Sequence, residues 1–144
     1  MKNIRIAIGS DHAGFVLKES VKKFLESNGY EHNDFGVYQG EKTDYPVIAR
    51  TVAEKVAEGQ FNRGIILCGS GLGVAITANK VKGIRAVTCH DLYSARMSRS
   101  HNDANVLTLG GRIIGTDLAS EIVDIWLKTS FEGGRHQTRV DMIE

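Results

Sequence analysis

The chain holds 144 residues, one domain's worth, of which 42% are hydrophobic and 24% charged, an ordinary composition for a globular protein. Its 18 Lys and Arg against 17 Asp and Glu leave a net charge of +1 with no basic block, which argues against a nucleic-acid partner and against a basic membrane-surface patch. No apolar run approaches the ~20 residues of a spanning helix, Met1-Lys2-Asn3-Ile4-Arg5 opens without a signal-peptide core, and Cys68 and Cys89 make no disulfide framework, so a reduced, cytoplasmic protein is expected.

Ile4, Ile6 and Ile8 alternate up to Gly9 and predict a first strand. Leu17, Val21, Phe24, Leu25 and Asn28 then recur at helical spacing until Gly29. Residues 30–35 predict a weak, polar strand at an edge. Pro46, the one proline, suits the first turn of a helix that runs to Gly59 with Ile48, Val52 and Val56 on one face. Ile65, Ile66 and Leu67 read as a strand buried on both faces, and Gly69-Ser70-Gly71-Leu72-Gly73 leads into a short helix from Val74 to Val81. Ile84–Thr88 predicts a fourth strand, and Asp91–Arg99 a helix capped at Asp91. Val106, Leu107 and Leu109 predict a fifth strand closed by Gly110-Gly111, and Leu118, Ile122, Ile125 and Trp126 stripe a last long helix. Strand and helix alternate throughout without repeat or linker, which implies one domain over 1–144. The expected fold is α/β, a three-layer α/β/α sandwich around a mostly parallel, Rossmann-like sheet of five strands.

Ligands of open parallel sheets bind at the carboxyl ends of the strands. The residues just past each strand are Ser10-Asp11-His12, Cys68-Gly69-Ser70, Cys89-His90-Asp91 and Gly110-Gly111-Arg112, which gathers acid, imidazole, thiol, hydroxyl and guanidinium at one rim. The Cys68–Gly73 loop is no dinucleotide fingerprint, because Val74 or Ile76 stands where the last glycine belongs. It lacks the Gly-Lys-Ser/Thr of a Walker loop, and Gly71 occupies the centre where a hydrolase elbow needs serine. What remains is a glycine-lined turn whose N–H groups suit an oxyanion or a phosphate, begun by a cysteine whose thiolate a helix N-terminus favours. A buried structural cysteine with tight-turn glycines is the alternative.

Asp11 reads either as a site acid or as a plain helix cap, and His101, in His101-Asn102-Asp103, either as a site acid at this rim or as a histidine meeting a helix C-terminus. Arg135 and Arg139 stack on one face if the tail is helical, as a phosphate clamp or as a solvated basic face. None of the five histidines has ligand spacing to another or to a cysteine, so no metal is expected.

Gly9-Ser10-Asp11-His12-Ala13-Gly14-Phe15, Thr43-Asp44-Tyr45-Pro46, Cys68-Gly69-Ser70-Gly71-Leu72-Gly73, Gly83-Ile84-Arg85-Ala86, His101-Asn102-Asp103-Ala104-Asn105-Val106-Leu107 and Glu132-Gly133-Gly134-Arg135-His136 resemble, in order, the type B ribose-5-phosphate isomerase family, which includes hexose-6-phosphate relatives. The resemblance spans essentially the whole chain. It implies a cofactor-free and metal-free aldose–ketose isomerase of the non-oxidative pentose phosphate branch, working as a homodimer or a dimer of dimers on a sugar phosphate. By position it implies Cys68 as base, Ser70 as the hydroxyl holding the intermediate, His101 as ring-opening acid, and Asp11 and Tyr45 as helpers. His12, Arg112, Arg135 and Arg139 correspond to phosphate ligands, and Asn102 and the loop Gly69, Ser70, Gly71, Leu72, Gly73 to substrate contacts, with Asp11 beside them. Members that use a glutamate past the loop lack the cysteine; here Ala75, Ile76 and Thr77 are uncharged, which fits the cysteine version. A cysteine phosphatase is excluded by Val74, which stands where its loop arginine belongs. Two expectations remain beside the pentose reading: an allose or galactose 6-phosphate substrate, and a non-catalytic nucleotide- or phosphate-binding module.

Overall fold

The computed structural model describes residues 3–144; Met1 and Lys2, the first two residues of the opening Met1-Lys2-Asn3-Ile4-Arg5, lie outside them. The elements follow one another as β1 (Arg5–Ser10), α1 (Phe15–Ser27), β2 (Glu31–Asp34), α2 (Tyr45–Ala57), β3 (Arg63–Cys68), α3 (Leu72–Ala78), β4 (Ala86–Thr88), α4 (Leu92–Ser100), β5 (Val106–Gly110), α5 (Thr116–Lys128) and α6 (Arg135–Ile143). The five strands form one parallel sheet in the order β2-β1-β3-β5-β4. The three-layer expectation is met, and the weak polar strand is indeed at an edge.

Strand side chains alternate between the faces, so each central strand feeds two cores. Ile6, Ile8, Ile65, Leu67, Leu107 and Leu109 meet Leu17, Val21 and Leu25 of α1, Ala95 of α4, and Ile122 and Trp126 of α5. On the other face Ala7, Ile66, Cys68 and Val106 meet Ile48, Val52 and Val56 of α2 and Val74 and Ala78 of α3. This alternation points Cys68 at the α2–α3 side, where the functional cleft opens.

Several elements are shorter than the sequence pattern predicts, among them the edge strand, which is Glu31–Asp34 rather than 30–35. The fourth strand starts at Ala86 because Arg85 is tied to Asn105: its N–H donates to Asn105 Oδ1, and its carbonyl accepts from Asn105 N–H. Helix α3 stops at Ala78 because Asn79 turns its side-chain amide to Ala86, accepting at 2.7 Å from its N–H and donating at 2.9 Å to its carbonyl.

The exit of β1 is fastened by a buried ion pair. Lys18, 0% exposed, donates to both carboxylate oxygens of Asp34 (2.8 and 2.9 Å) and to the Val37 carbonyl. Asp34 also accepts from Lys22 and from Gly36 N–H, and the 36–37 segment brackets Ser10 through two backbone hydrogen bonds of 2.7 Å. Burial by itself raises the Asp34 carboxyl, but the hydrogen bonds from Lys18 and Lys22 outweigh it and hold it below 3.8. Such a depressed carboxyl stabilises the fold above its unfolded value, and that contribution is lost as pH falls through the folded one.

Removing one partner of a buried pair strands the other charge. Asp34→Asn is therefore expected to cost about 3–5 kcal/mol in urea denaturation. Lys18→Met should cost clearly less, since Asp34 keeps Lys22 and the Gly36 N–H. Equal losses from the two substitutions would contradict this account of the knot.

Candidate active site

Between β1 and β3 the chain switches from building the sheet toward β2 to building it toward β5, which is where an α/β sheet opens a crevice at its carboxyl rim. A cleft of about 490 Å³ lies there, lined by Asp11, His12, Ala13, Tyr45, Cys68, Gly69, Ser70, Gly73, Arg112 and Ile113. The turns after β1, β3 and β5 are laced together by backbone bonds. Asp11 N–H donates to Leu67 O (3.2 Å), Gly111 N–H to Cys68 O (2.8 Å) and Arg112 N–H to Gly69 O (3.0 Å).

Cys68 ends β3 with its side chain 5% exposed, and its sulphur accepts from Gly71 N–H at 3.1 Å, which fixes the thiol on the cleft floor. Gly71 itself needs to be glycine. Its φ is +80°, and a Cβ would lie 2.9 Å from the Leu109 carbonyl carbon. The Gly71 carbonyl is drawn into the sheet by the hydroxyls of Thr108 (2.7 Å) and Thr88 (3.0 Å). Across a trans peptide the Leu72 N–H must then face the opposite way, where it meets Ser70 Oγ at 3.2 Å. With only seven residues in α3, local amides rather than a long helix dipole shape the loop.

Asp11 caps a turn rather than the helix proper: its Oδ1 accepts from Gly14 N–H at 3.0 Å, and α1 begins one residue later at Phe15. Its second carboxylate oxygen remains for the cleft. His12 and Arg112 are exposed at the cleft wall. A Cβ on Gly69 would lie 3.2 Å from Arg112 Nη1, so the guanidinium lies across the loop. Among the described residues Arg112 has no carboxylate partner, unlike Arg5, Arg85 and Arg99. Tyr45 opens α2, and its ring packs against Gly73, where an added Cβ would clash with it.

The expectation that His101 stands at this rim is not met. Helix α4 runs back along the sheet, so His101, at its C-terminus, lies at the amino rim, just ahead of β5. The five residues of β5, at about 3.3 Å each, place roughly 16 Å between the two rims. Asn102, exposed, lies at the same far end, as does α6 with Arg135 and Arg139, anchored by Glu132 N–H on the Ser100 carbonyl (3.0 Å) and by Glu144 on Arg85. The tail is helical as the four-residue spacing requires, and both arginines are exposed.

At this amino rim the ligand atoms of His101, Glu132 and His136 fall within 4.8 Å of one another, the one group of metal-ligating residues found among the described residues. Sequence spacing missed it because the two histidines are brought together only by the docking of α6 on α4. A residue that the rim reading collected but assigned no role is His90, whose Nε2 accepts from Gly110 N–H at 2.9 Å. Burial pushes His90 below the usual 6.5, with Asp91 opposing, and the hydrogen bond itself requires an unprotonated Nε2.

A thiol, a carboxylate, a hydroxyl and a guanidinium with no carboxylate partner among the described residues, all around a glycine loop at the sheet's switch point, define an α/β enzyme for a small anionic substrate. The chain belongs to the ribose/galactose isomerase family, whose profile matches residues 6–143. It is 51% identical over 139 residues to ribose-5-phosphate isomerase B of Escherichia coli, covering 96% of this chain and 93% of that one. It is 45% identical to D-erythrulose-4-phosphate isomerase of Pectobacterium atrosepticum over 97% of this chain and 93% of that one. The structure of Clostridium thermocellum ribose-5-phosphate isomerase B superposes with a TM-score of 0.95 at 56% identity, covering 97% and 95% of the two chains.

Two outcomes are expected. Gly73→Ala should leave the melting temperature near wild type, because the half-exposed Tyr45 ring can swing out, yet lower kcat/KM by roughly ten- to hundred-fold through a misplaced cleft wall. Combining it with Tyr45→Ala should add little to that loss; full additivity would separate the two residues. In acid, a histidine with a lowered folded pKa costs stability as pH drops below its unfolded value of 6.5. Denaturation midpoints of wild type should therefore fall relative to His90→Gln below about pH 6.5, and run parallel to it above pH ~7.5.

Proposed function

We propose that the protein interconverts ribose 5-phosphate and ribulose 5-phosphate through an enediolate, with Cys68 as the base. The observation that carries this reading is the Cys68 sulphur at the cleft floor, beside loop amides that can receive an oxyanion and beside an unpaired Arg112 that can receive a phosphate. Membership of the ribose/galactose isomerase family supports the reaction class, and the names of the relatives in Escherichia coli and Clostridium thermocellum support the pentose.

The chemistry begins with a ring. His101 donates a proton to the ring oxygen as the bond to carbon-1 breaks, and the carbon-1 hydroxyl passes its proton to Asp11, leaving the aldehyde. The Cys68 thiolate then takes the proton of carbon-2. The electron pair forms the carbon-1–carbon-2 double bond, and the carbonyl oxygen becomes an oxyanion held by Ser70 and by the loop amides of Gly69–Gly73 other than those of Gly71 and Leu72, which are already bonded. Cys68 returns its proton to carbon-1 while the carbon-2 hydroxyl proton passes to the carbon-1 oxygen, which completes the ketose. Each aimed N–H is worth about 3–4 kcal/mol to such an oxyanion. The phosphate does not react. Its binding to His12, Arg112, Arg135 and Arg139, with Asn102 and Tyr45 against the sugar, holds carbon-1 and carbon-2 over the sulphur.

Because His101, Asn102, Arg135 and Arg139 belong to the rim opposite Cys68 in one chain, a strand's length of roughly 16 Å away, the reading needs the amino rim of a second copy over each cleft. A homodimer is the assembly proposed. The apolar side chains exposed around the cleft, Leu72, Ile76 and Ile113, support it. Two free cysteines fit a cytoplasmic setting, and among the described residues no helix is long and apolar enough to cross a membrane.

Deuterium exchange separates the two steps, because ribulose 5-phosphate cannot close a five-membered ring. Cys68→Ala should lose both aldose turnover and exchange at carbon-1 of the ketose. His101→Asn should keep the exchange and lose roughly 10²–10⁴ of aldose turnover. Mixing the two variants under conditions of subunit exchange should restore about a quarter of wild-type aldose turnover, since half the dimers are mixed and each mixed dimer holds one intact site. Active Cys68→Ala overturns the base assignment, and a mixture as dead as its parts overturns the shared site.

A further inference from the structure

His101 does not stand alone at the amino rim. The ring of His136 lies face to face with it, centroids 4.1 Å apart and planes 9° from parallel. His136 is 5% exposed, and its Nε2 is buried without a hydrogen-bond partner, 3.4 Å from a Glu132 carboxylate oxygen. Gly133 and Gly134 take positive φ where the chain turns into α6, and His136 N–H donates to the Gly133 carbonyl at 3.0 Å.

Proximity to Glu132 suggests a chelate, but geometry favours a stack. A metal ion binds an imidazole nitrogen along its in-plane lone pair, and two parallel planes share no point where both lone pairs could meet. A flat ring packed face to face on another is instead a platform that fixes its partner's plane.

We propose that His136 is the positioning residue for His101, a buried imidazole platform that sets the plane of the ring-opening acid. This rests on the reading of His101 as that acid. The charged groups bearing on His136 are His101 from α4, Glu132 from the preceding loop, and Arg135 and Arg139 from α6. Burial lowers the His136 pKa, His101 and the two arginines act in the same direction, and Glu132 opposes them. A proton on both rings would set like charges 4.1 Å apart. The pair therefore divides its labour: one ring is exposed enough to meet substrate, and the other is buried and passive.

The test compares His136→Ala and His136→Phe with His101→Asn in the full chain, reading aldose turnover, ketose carbon-1 exchange and thermal unfolding. His136→Ala should lower aldose kcat by roughly ten- to hundred-fold and leave ketose exchange within about two-fold. His136→Phe, which keeps a flat face and has no titratable nitrogen, should recover aldose turnover to within a few-fold of wild type. A residue that merely braces Arg135 and Arg139 would move both readouts together, because aldose and ketose carry the same phosphate. Equal loss in both directions, no loss in either, or a folded His136→Phe as slow as His136→Ala overturns the platform while the His101 assignment stands. Loss of ketose exchange in His101→Asn itself removes His101 from ring opening, and the platform falls with it.

Discussion

Parallel pairing dictates where everything else in this molecule can be. When all strands run one way, every strand leaves the sheet at one rim and every crossover helix delivers the chain to the other. Residues that follow strands, Asp11, Cys68, Ser70 and Arg112, collect at the carboxyl rim without any further device. Residues that follow helices, His101 and the α6 group, collect at the opposite one. The length of β5 sets the distance between them, and no rotamer change can close it.

Within the carboxyl rim, the arrangement depends more on backbone than on side chains. The Cys68–Gly73 loop has no charged residue, yet its peptide groups are individually oriented: one carbonyl taken by two threonine hydroxyls, one amide by the cysteine sulphur, another by a serine. Thr108 and Thr88 never reach the cleft, although they decide which way the Leu72 amide faces. The absence of side chains at Gly71 and Gly73 serves two different ends, a left-handed turn against the Leu109 backbone in one case and a seat for the Tyr45 ring in the other.

Layers, strand sequence and cleft chemistry are legible in the chain because they follow from local periodicity. Ile6 and Ile8, the run Ile65–Leu67, and the stripe of Leu118, Ile122 and Trp126 each report their own environment. Asp91 was equally readable as a cap, and it accepts from Ser94 N–H. What local patterns do not carry is direction across the fold. His101 sits in a motif as specific as that of Cys68, but motif order says nothing about which end of a helix meets which rim. The ends of β4 and α3 escaped for a related reason, since Asn105 and Asn79 trim them through hydrogen bonds to residues seven or more positions away. The stack of His136 on His101 likewise exists only after α6 has docked.

The two borders of the sheet are brief: β2 is the four polar residues Glu31-His32-Asn33-Asp34, and β4 is only three residues long. Unpaired strand edges are templates on which another chain can add a strand, and short, charged ones template poorly. The apolar strands β1, β3 and β5 lie shielded between them. Collisions between copies thus find no ready ladder to extend, and the fold is guarded against runaway β-aggregation by the same weak strands that add least to its core.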